Sequence, residues 1–525
     1  MSQVPDAPYL AQAHAALPRI LAWFDTDPVS PLRGCGDRRR WAWKLVDFAN
    51  GTYQGVAHGL ARLCAAGLLP EWLDEAAALR RIDACVVGAA AIRRRDGSWE
   101  EAFPHEGSFC VTALVTYDLL CATALVGERI PPATRARWLD TVRPGIAFLT
   151  RHDEGHAFIS NHLATAAAAL ARWATLAGPD DGARARARSL WTRILAQQSD
   201  EGWFREYDGA DPGYQSLAMT YLADLALVEP EWGVDVALAR GWSFLSHCVH
   251  PDGSFGGLYG SRNTRLWHPG GAEAMAATCP PAAALARRLR QSIAERRVVA
   301  LDAIDEPNLA PMFNGYCWAA DLARRNTLPA EGTLLPCEEP APFRRTFSAA
   351  GLTVVNHAAH YTVVGWRKGG VVCHGPKDGS PARVDAGAAG RCGATWYSTQ
   401  AADCEVTPEQ DDDLALVVTA RFTAMHHELP SPFQMAVLRL LAATVMRWRP
   451  LSELIKRLLV RRLITGRRRL SLRNRRSIRW GDVPTISDAT LGSPPRGWTP
   501  APEMGSFSAI HMASQGYWQR QDDQR

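Results

Sequence analysis

The chain has 525 residues, a formal net charge of +4, 47% hydrophobic and 21% charged residues. These are ordinary globular values, and so small a net charge gives no reason to expect nucleic acid as a partner. The length exceeds what one core usually organises, so two domains are expected.

From the amino terminus, Met1 to Phe24 shows no basic region followed by a continuous apolar run. No later stretch offers the roughly eighteen uninterrupted apolar residues of a membrane span. The expectation is an unexported, cytoplasmic protein without a transmembrane segment, with a periplasmic location left open. The twelve cysteines are scattered and form no C-x-x-C pair, which argues against a Cys-type zinc site and fits reduced thiols.

Four short turns then recur about every fifty residues. They are Asp96-Gly97-Ser98-Trp99, Asp153-Glu154-Gly155-His156-Ala157-Phe158, Asp200-Glu201-Gly202-Trp203 and Asp252-Gly253-Ser254-Phe255. Between them, Ser108 to Val126, Asn161 to Ala177, Tyr214 to Val228 and Val234 to Val249 are rich in Ala and Leu and long enough for helices. Ala183 to Gln198 differs: it sets Arg184, Arg186, Arg188 and Arg193 against Leu190, Trp191, Ile194 and Leu195, the mark of a half-exposed helix. Inner apolar and outer amphipathic helices in a repeated hairpin predict an α/α toroid over residues 1–328. Trp99 and Trp203 in the turns are expected to wedge between hairpins, and most of the nineteen Trp to lie in the core.

Pro, Glu and Gly dominate from Asn326 to Pro342, which places a linker at 329–342. Beyond it, Leu352 to Val355, Tyr361 to Trp366, Val371-Val372, Leu414 to Phe422 and Ser477 to Ile486 are β-rich runs. The fold class is therefore α+β and multidomain, with an antiparallel β-sandwich at 343–525. A basic helical insertion interrupts it at about 433–469, with Arg439, Arg447, Arg449, Lys456, Arg457, Arg461, Arg462 and Arg467 to Arg469 among Leu, Ile, Val and Trp448. It reads either as a surface that meets an anionic partner such as a membrane, or as a solvated insertion whose Arg stems cover the sandwich.

Candidate site residues lie where inner helices begin. Ser160-Asn161-His162 opens one such helix, with Ser160 or Asn161 suited to cap it. Asp211-Pro212-Gly213-Tyr214-Gln215 opens the next, so Asn161, His162 and Tyr214 are expected to converge at one mouth of the toroid. The segment Tyr259 to Pro269 follows the fourth turn and is unusually polar. Arg262, Asn263 and Arg265 there offer donors for a carboxylate or sulfate, and Tyr259 and Trp267 offer faces for sugar stacking. His105 and Glu106, in the equivalent loop after the first turn, are secondary candidates.

The Asn-His opening an apolar helix, the Tyr one repeat later, the α/α repeats and the β-rich part that follows together resemble the heparinase II/III-like polysaccharide lyases and their alginate-lyase relatives. The resemblance spans the chain roughly from Asp96 to its end. It implies that Asn161 binds a uronate carboxylate, that Tyr214 serves as proton donor or acid/base, and that one or two His complete the site. Neutralising the carboxylate spreads the charge left by loss of the C5 proton, which is why those residue types suit β-elimination. His357 and His360 are then candidates for the base, as is His374. The family's His-Gly-His-x-Asp metal run is broken here by Pro376, although His374, Asp378 and Asp385 remain candidate ligands for a structural zinc or calcium. No cofactor is required. The implied partner is an acidic polysaccharide, with peripheral contact through 433–469 as a further expectation.

Three other readings are weighed beside it. A glycoside hydrolase on the same toroid needs two carboxylates at one cavity, and Asp96, Asp153, Asp200 and Asp252 have a structural job in their turns. A terpene cyclase needs an acidic motif, and Asp411-Asp412-Asp413 falls in the β-rich part. The third class is a non-catalytic protein of bacterial surface-polysaccharide metabolism that binds through Asn161, Tyr214 and Arg262.

Overall fold

The recurring turn has a local cause. Gly97, Gly202 and Gly253 adopt φ of +93°, +100° and +85°, the left-handed region that a side chain disfavours. Asp96 Oδ1 accepts from the backbone N and Oγ of Ser98, at 3.1 and 2.6 Å, and Asp252 does the same for Ser254, at 3.0 and 2.7 Å. Trp99 fills the wedge behind the first turn, fully buried, its Nε1 donating to the Ala89 carbonyl at 2.9 Å. The third turn works differently from the expectation for Asp200. Ser199 Oγ accepts from the backbone N of Glu201, while the Glu201 carboxylate accepts from the backbone N of Ala349 and Ala350.

The structure is a computed structural model. It describes residues 8–42, 46–155, 157–325, 332–401, 406–409, 415–425, 430–461, 468–502, 504, 507–508 and 516–517. The Asp411 to Asp413 run, Arg462, Arg467 and the start of the expected linker region at 326–331 lie outside the described residues.

In chain order the helices are α1 (Pro8–Leu21), α2 (Arg38–Trp41), α3 (Val56–Ala66), α4 (Glu75–Ile92), α5 (Phe109–Val126), α6 (Pro132–Arg151) and α7 (Ser160–Leu176). They continue as α8 (Asp181–Ala196), α9 (Pro212–Val228), α10 (Val234–Leu245), α11 (Gly270–Met275), α12 (Pro280–Ala294) and α13 (Glu306–Arg325). Helices α3, α5, α7, α9, α11 and α13 each touch the next, and α13 returns to α3, which closes an inner ring. Against these pack α4, α6, α8, α10, α12 and α1 as the outer layer. Sequence sets the partition: α9 buries its side chains from Pro212 through Leu225, whereas α8 buries Ala183, Ala187, Leu190, Trp191 and Ile194 and leaves Arg184 and Arg188 in solvent. Residues 109–129 are long and apolar enough to cross a membrane by length and composition; they comprise inner-ring helix α5 and the turn after it, and 78% of their 18-residue apolar window is buried inside the protein.

The sheets follow. Strands β1 (Phe343–Phe347), β2 (Leu352–Asn356), β3 (His360–Gly365), β4 (Val371–Pro376) and β5 (Arg383–Asp385) form one antiparallel sheet in that order. The second contains β6 (Ala389–Cys392), β7 (Thr395–Ser398), β8 (Val406–Glu409), β9 (Ala415–Ala424), β10 (Arg469–Arg479), β11 (Thr485–Leu491) and β12 (Trp498–Pro500), ordered β11-β10-β9-β7-β6-β12 with β8 also on β9. The run Ser477 to Ile486, which reads as one strand, is a hairpin in which Ile478 pairs with Ile486.

Strand parity explains the continuous apolar runs of β3 and β4. Tyr361, Val363 and Cys373 join the toroid core, while Val364 and Val372 pack on Leu416, Val418 and Ile478 of the second sheet. The central strands β2 to β4 of the first sheet are thus a middle layer, covered on both faces, while β1 and β5 are partly exposed.

Between β9 and β10 come α14 (Pro432–Ala443) and α15 (Arg449–Val460). The expectation that their arginines cover the sandwich is corrected: the hairpin sits on the rim of the toroid. Arg439 pairs with Asp47 and stacks over Phe48, Arg449 lies 4.5 Å above the Phe148 ring, and Lys456 Nζ is 3.7 Å from Glu106 Oε2.

Candidate active site at the toroid mouth

Two loop pairings assemble the site. The loop before α7 bridges the loop after the third turn through Ile159 and Glu206, with Ser160 N and Oγ both donating to the Arg205 carbonyl. This corrects the capping role expected for Ser160 or Asn161. The cap position is Ile159, and the Asn161 side chain is free to donate from Nδ2 to Glu206 Oε2 at 3.0 Å. The second pairing runs through Asp211, whose Oδ1 caps α9 at the Tyr214 N–H and whose Oδ2 accepts from the Arg262 N–H at 2.8 Å. Ser261 adds a bond from Oγ to the Glu206 carbonyl at 3.1 Å.

These pairings stack Arg262 on two aromatic rings. Its guanidinium carbon is 4.5 Å from the centre of the Tyr207 ring and 5.1 Å from that of Tyr214, with NH1 4.0 Å from Glu206 Oε1. Burial pushes the Glu206 carboxyl up to about 8; Arg262 opposes this, Asp211 reinforces it, and Asn161 opposes it through its hydrogen bond. Burial works against the Arg262 charge, but Tyr214, Tyr207, Glu206 and Asp211 outweigh it and raise the guanidinium above its ordinary value. Glu206 Oε1 is buried without a hydrogen-bond partner among the described residues. A carboxyl raised in this way keeps its proton to higher pH than an ordinary glutamate, and in that form it has a donor to offer.

His162 turns to Glu154, its Nδ1 2.6 Å from Oε2. Glu154 in turn faces Lys456, whose charge is maintained against burial by Glu106, Glu154 and Glu101. Glu106 is buried and accepts from the backbone N of Glu101 and Ala102, both at 2.6 Å. His105 accepts at Nδ1 from Arg94 at 3.2 Å. Ionisable side chains therefore line the rim from Lys456 through Glu154 and His162 to Glu206 and Arg262. The loops holding it are strained: His105, Tyr207 and Asn263 have φ of 66°, 55° and 58°. Such backbone cost persists only where surrounding contacts over-determine it, and it gathers at functional sites.

The remaining candidates fall elsewhere. Trp267 is fully buried between Trp242 and Phe255, which leaves no face for a sugar. Tyr259 is buried too, its hydroxyl donating to the Cys248 carbonyl at 3.3 Å. Asn263 Nδ2 reaches Gln400 Oε1 at 3.2 Å and Ser508 Oγ at 2.7 Å, which ties the rim to the sandwich. Arg265 acts on His250 and Cys373 at the seam between toroid and sheet.

His360 and His374 have the parity of Val364 and Val372, so they face away from the toroid. Thr362 Oγ1 joins their Nδ1 atoms at 2.8 and 3.0 Å, His360 Nε2 meets the Gly481 carbonyl at 2.9 Å, and His357 stacks on His360 with ring centres 5.0 Å apart. Among the described residues no bond or ring contact links these three to Asn161, Tyr214 or Arg262. The candidate metal ligands are also apart. His374 turns to Thr362, Asp378 accepts from the backbone N of Ser380, and Asp385 accepts from Arg476. Among the described residues no three His, Cys, Asp or Glu are grouped to hold a metal ion.

A cavity of about 470 Å³ opens at the seam, lined by residues including Ser246, His247, Leu335, Phe343 and Arg345. Burial lowers His247 there to about 4, with Arg345 adding to the effect. Glu339 also lines that cavity, but His247 Nε2 is taken up by Arg345 at 3.3 Å and none of Asn161, Glu206, Tyr214 and Arg262 lines it, so the chemistry is placed at the rim.

Glu206, Tyr207, Glu154 and Lys456 escape the sequence reading. Glu154 and Glu206 nonetheless lie in, or a few residues after, the second and third turns, so the repeat itself is a signal that could have found them.

No family model matches the chain, and no curated protein sequence matches it. Among solved structures, it is similar to a chondroitin AC lyase of Streptomyces coelicolor A3 in complex with chondroitin sulphate, at a TM-score of 0.51 and 14% identity over 81% of this chain and 67% of that one. It is also similar to a xanthan lyase of Paenibacillus, at a TM-score of 0.48 and 13% identity over 81% of this chain. The match spans 46% of the xanthan lyase, less than half its length. The structural neighbours are thus polysaccharide lyases that combine a helical toroid with a β domain, and at these identities the likeness is one of fold.

Proposed function

We propose that the protein is a polysaccharide lyase that cleaves a uronate-containing acidic polysaccharide by β-elimination, in the manner of the heparinase II/III-like enzymes that its Asn161-His162 and Tyr214 motifs resemble. The observation that supports this is the convergence of Asn161, Glu206, Tyr214 and Arg262 from three adjacent inter-helix loops of the toroid. Sharing a fold with a chondroitin AC lyase supports the substrate class and leaves the particular polymer open.

In this reading the substrate carboxylate accepts hydrogen bonds from Asn161 and from neutral Glu206, beside the Arg262 charge. Loss of the C5 proton then places its electron pair in an aci-carboxylate rather than on carbon. Collapse of that pair forms the C4–C5 double bond and expels the glycosidic oxygen, which takes a proton from Tyr214. His162, oriented by Glu154, is the nearer candidate for the base than the His of the sandwich. Asn161 is 4% exposed and Tyr214 8%, so a sugar chain enters only when the rim loops part.

Glu154 and Glu206 also supply two carboxylates around Asn161, the one observation that favours a hydrolase as second reading. Incubation with a panel of acidic polysaccharides separates the two. Rising ultraviolet absorbance from an unsaturated uronate supports elimination, reducing ends without absorbance indicate hydrolysis, and neither product indicates a binding protein.

A further inference from the structure

Among the described residues, seventeen large apolar side chains are exposed, and seven of them fall on one short hairpin: Phe433, Met435, Val437, Leu440, Trp448, Leu454 and Leu458. Their spacing is helical. Phe433, Val437 and Leu440 recur at i, i+4 and i+7 along α14, and Leu454 and Leu458 at i and i+4 along α15. The sides that bury Ala442, Met446 and Ser452 face the protein, and Lys456 and Arg439 fasten the hairpin to the toroid rim. Phe433 is 77% exposed, Leu440 65%, Trp448 64% and Leu458 57%; residues such as Val29 and Leu227 are exposed to a similar degree elsewhere, and what sets the hairpin apart is that its exposed apolar groups are clustered.

Charge decides what covers this face. Arg447, Arg457 and Arg461 are exposed among the apolar groups, with no exposed acidic residue on the hairpin. A second copy of the hairpin would bring like charges together. A bilayer accepts both kinds of group: apolar side chains enter the acyl boundary, Trp448 settles at the headgroup level, and guanidinium groups meet lipid phosphates. We infer that the exposed face of the α14–α15 hairpin docks on an anionic lipid surface. This holds whether or not the toroid site is a lyase.

The test is flotation of the full chain with vesicles of phosphatidylcholine alone and with about a third phosphatidylglycerol, at low and high salt. Binding is expected to the anionic vesicles, weakened by salt. Arg447→Gln, Arg457→Gln and Arg461→Gln should each lower affinity roughly fivefold. The triple change Trp448→Ser, Leu454→Ser and Leu458→Ser should abolish binding without altering the thermal unfolding of the toroid. No flotation with anionic vesicles overturns the inference. So does a dimer by light scattering that the same triple change dissociates.

Discussion

The guanidinium carbon of Arg262 stands 5.1 Å from the centre of the Tyr214 ring, and the two residues come from loops at successive starts of the inner ring. Asp211 makes that meeting possible, because one carboxylate caps the helix carrying Tyr214 and holds the backbone of Arg262. A cation fixed over the ring favours negative charge developing beside it, which is what carbanion formation requires of a site.

If Tyr214 protonates the departing oxygen, Tyr214→Phe removes the proton and keeps the ring under Arg262. Turnover on the best polysaccharide of the panel should fall about a hundredfold or more, while thermal unfolding stays near wild type. A Phe variant with full turnover would remove Tyr214 from the chemistry.

Glu206 makes a pH prediction with a definite sign. Its carboxyl is raised by burial to about 8, so the folded state holds a proton that the unfolded chain releases near the ordinary glutamate value. The stability this confers is fully present below the unfolded pKa and is lost as pH rises through about 8. Melting temperature should therefore decline toward alkaline pH, and Glu206→Gln should flatten that decline, because an amide donates at every pH. An identical slope in both proteins would show that Glu206 is ionised throughout.

How much of this was legible in the sequence depends on how local each cause is. The toroid is readable because three of the four turns hold a Gly at positive φ, at Gly97, Gly202 and Gly253, a requirement confined to a few neighbouring residues. The sandwich is readable only as β-rich, since Tyr361 and Thr362 are both buried and the alternation that marks a strand face disappears. The family resemblance puts His357, His360 and His374 forward as bases, whereas parity turns His360 and His374 from the toroid. Asn161 resembled a cap because Asn favours caps, and its partner Glu206 is 45 residues away, which no local rule reveals.

The Lys456 and Glu106 pair predicts how the hairpin is held. Three carboxylates surround one ammonium in a buried pocket, so Lys456→Met leaves Glu106 without its partner and should weaken docking of α15 by on the order of 3 kcal/mol. Limited proteolysis should then cut within residues 433–460 faster. Adding Glu106→Gln should restore resistance, because the uncompensated charge is gone. Unchanged cleavage in the single variant would mean that the remaining contacts, Arg439 with Asp47 and Arg449 over Phe148 among them, hold the hairpin without Lys456.

The turn glycines permit a controlled test of the repeat. Gly67 closes α3 at φ +66° with nothing within 4 Å of an added Cβ, so Gly67→Ala carries only the left-handed backbone cost, about 1 kcal/mol. Gly97 has a comparable φ of +93°, but a Cβ there meets the Pro144 carbonyl of the neighbouring outer helix. Backbone cannot rotate aside as a side chain can, so α6 must shift from its place beside the Trp99 wedge. Gly97→Ala should lower the melting temperature by clearly more than Gly67→Ala, and the difference measures how tightly adjacent hairpins are packed. Equal losses in the two variants would show that the turn needs glycine for conformation alone and that the hairpins have room to separate.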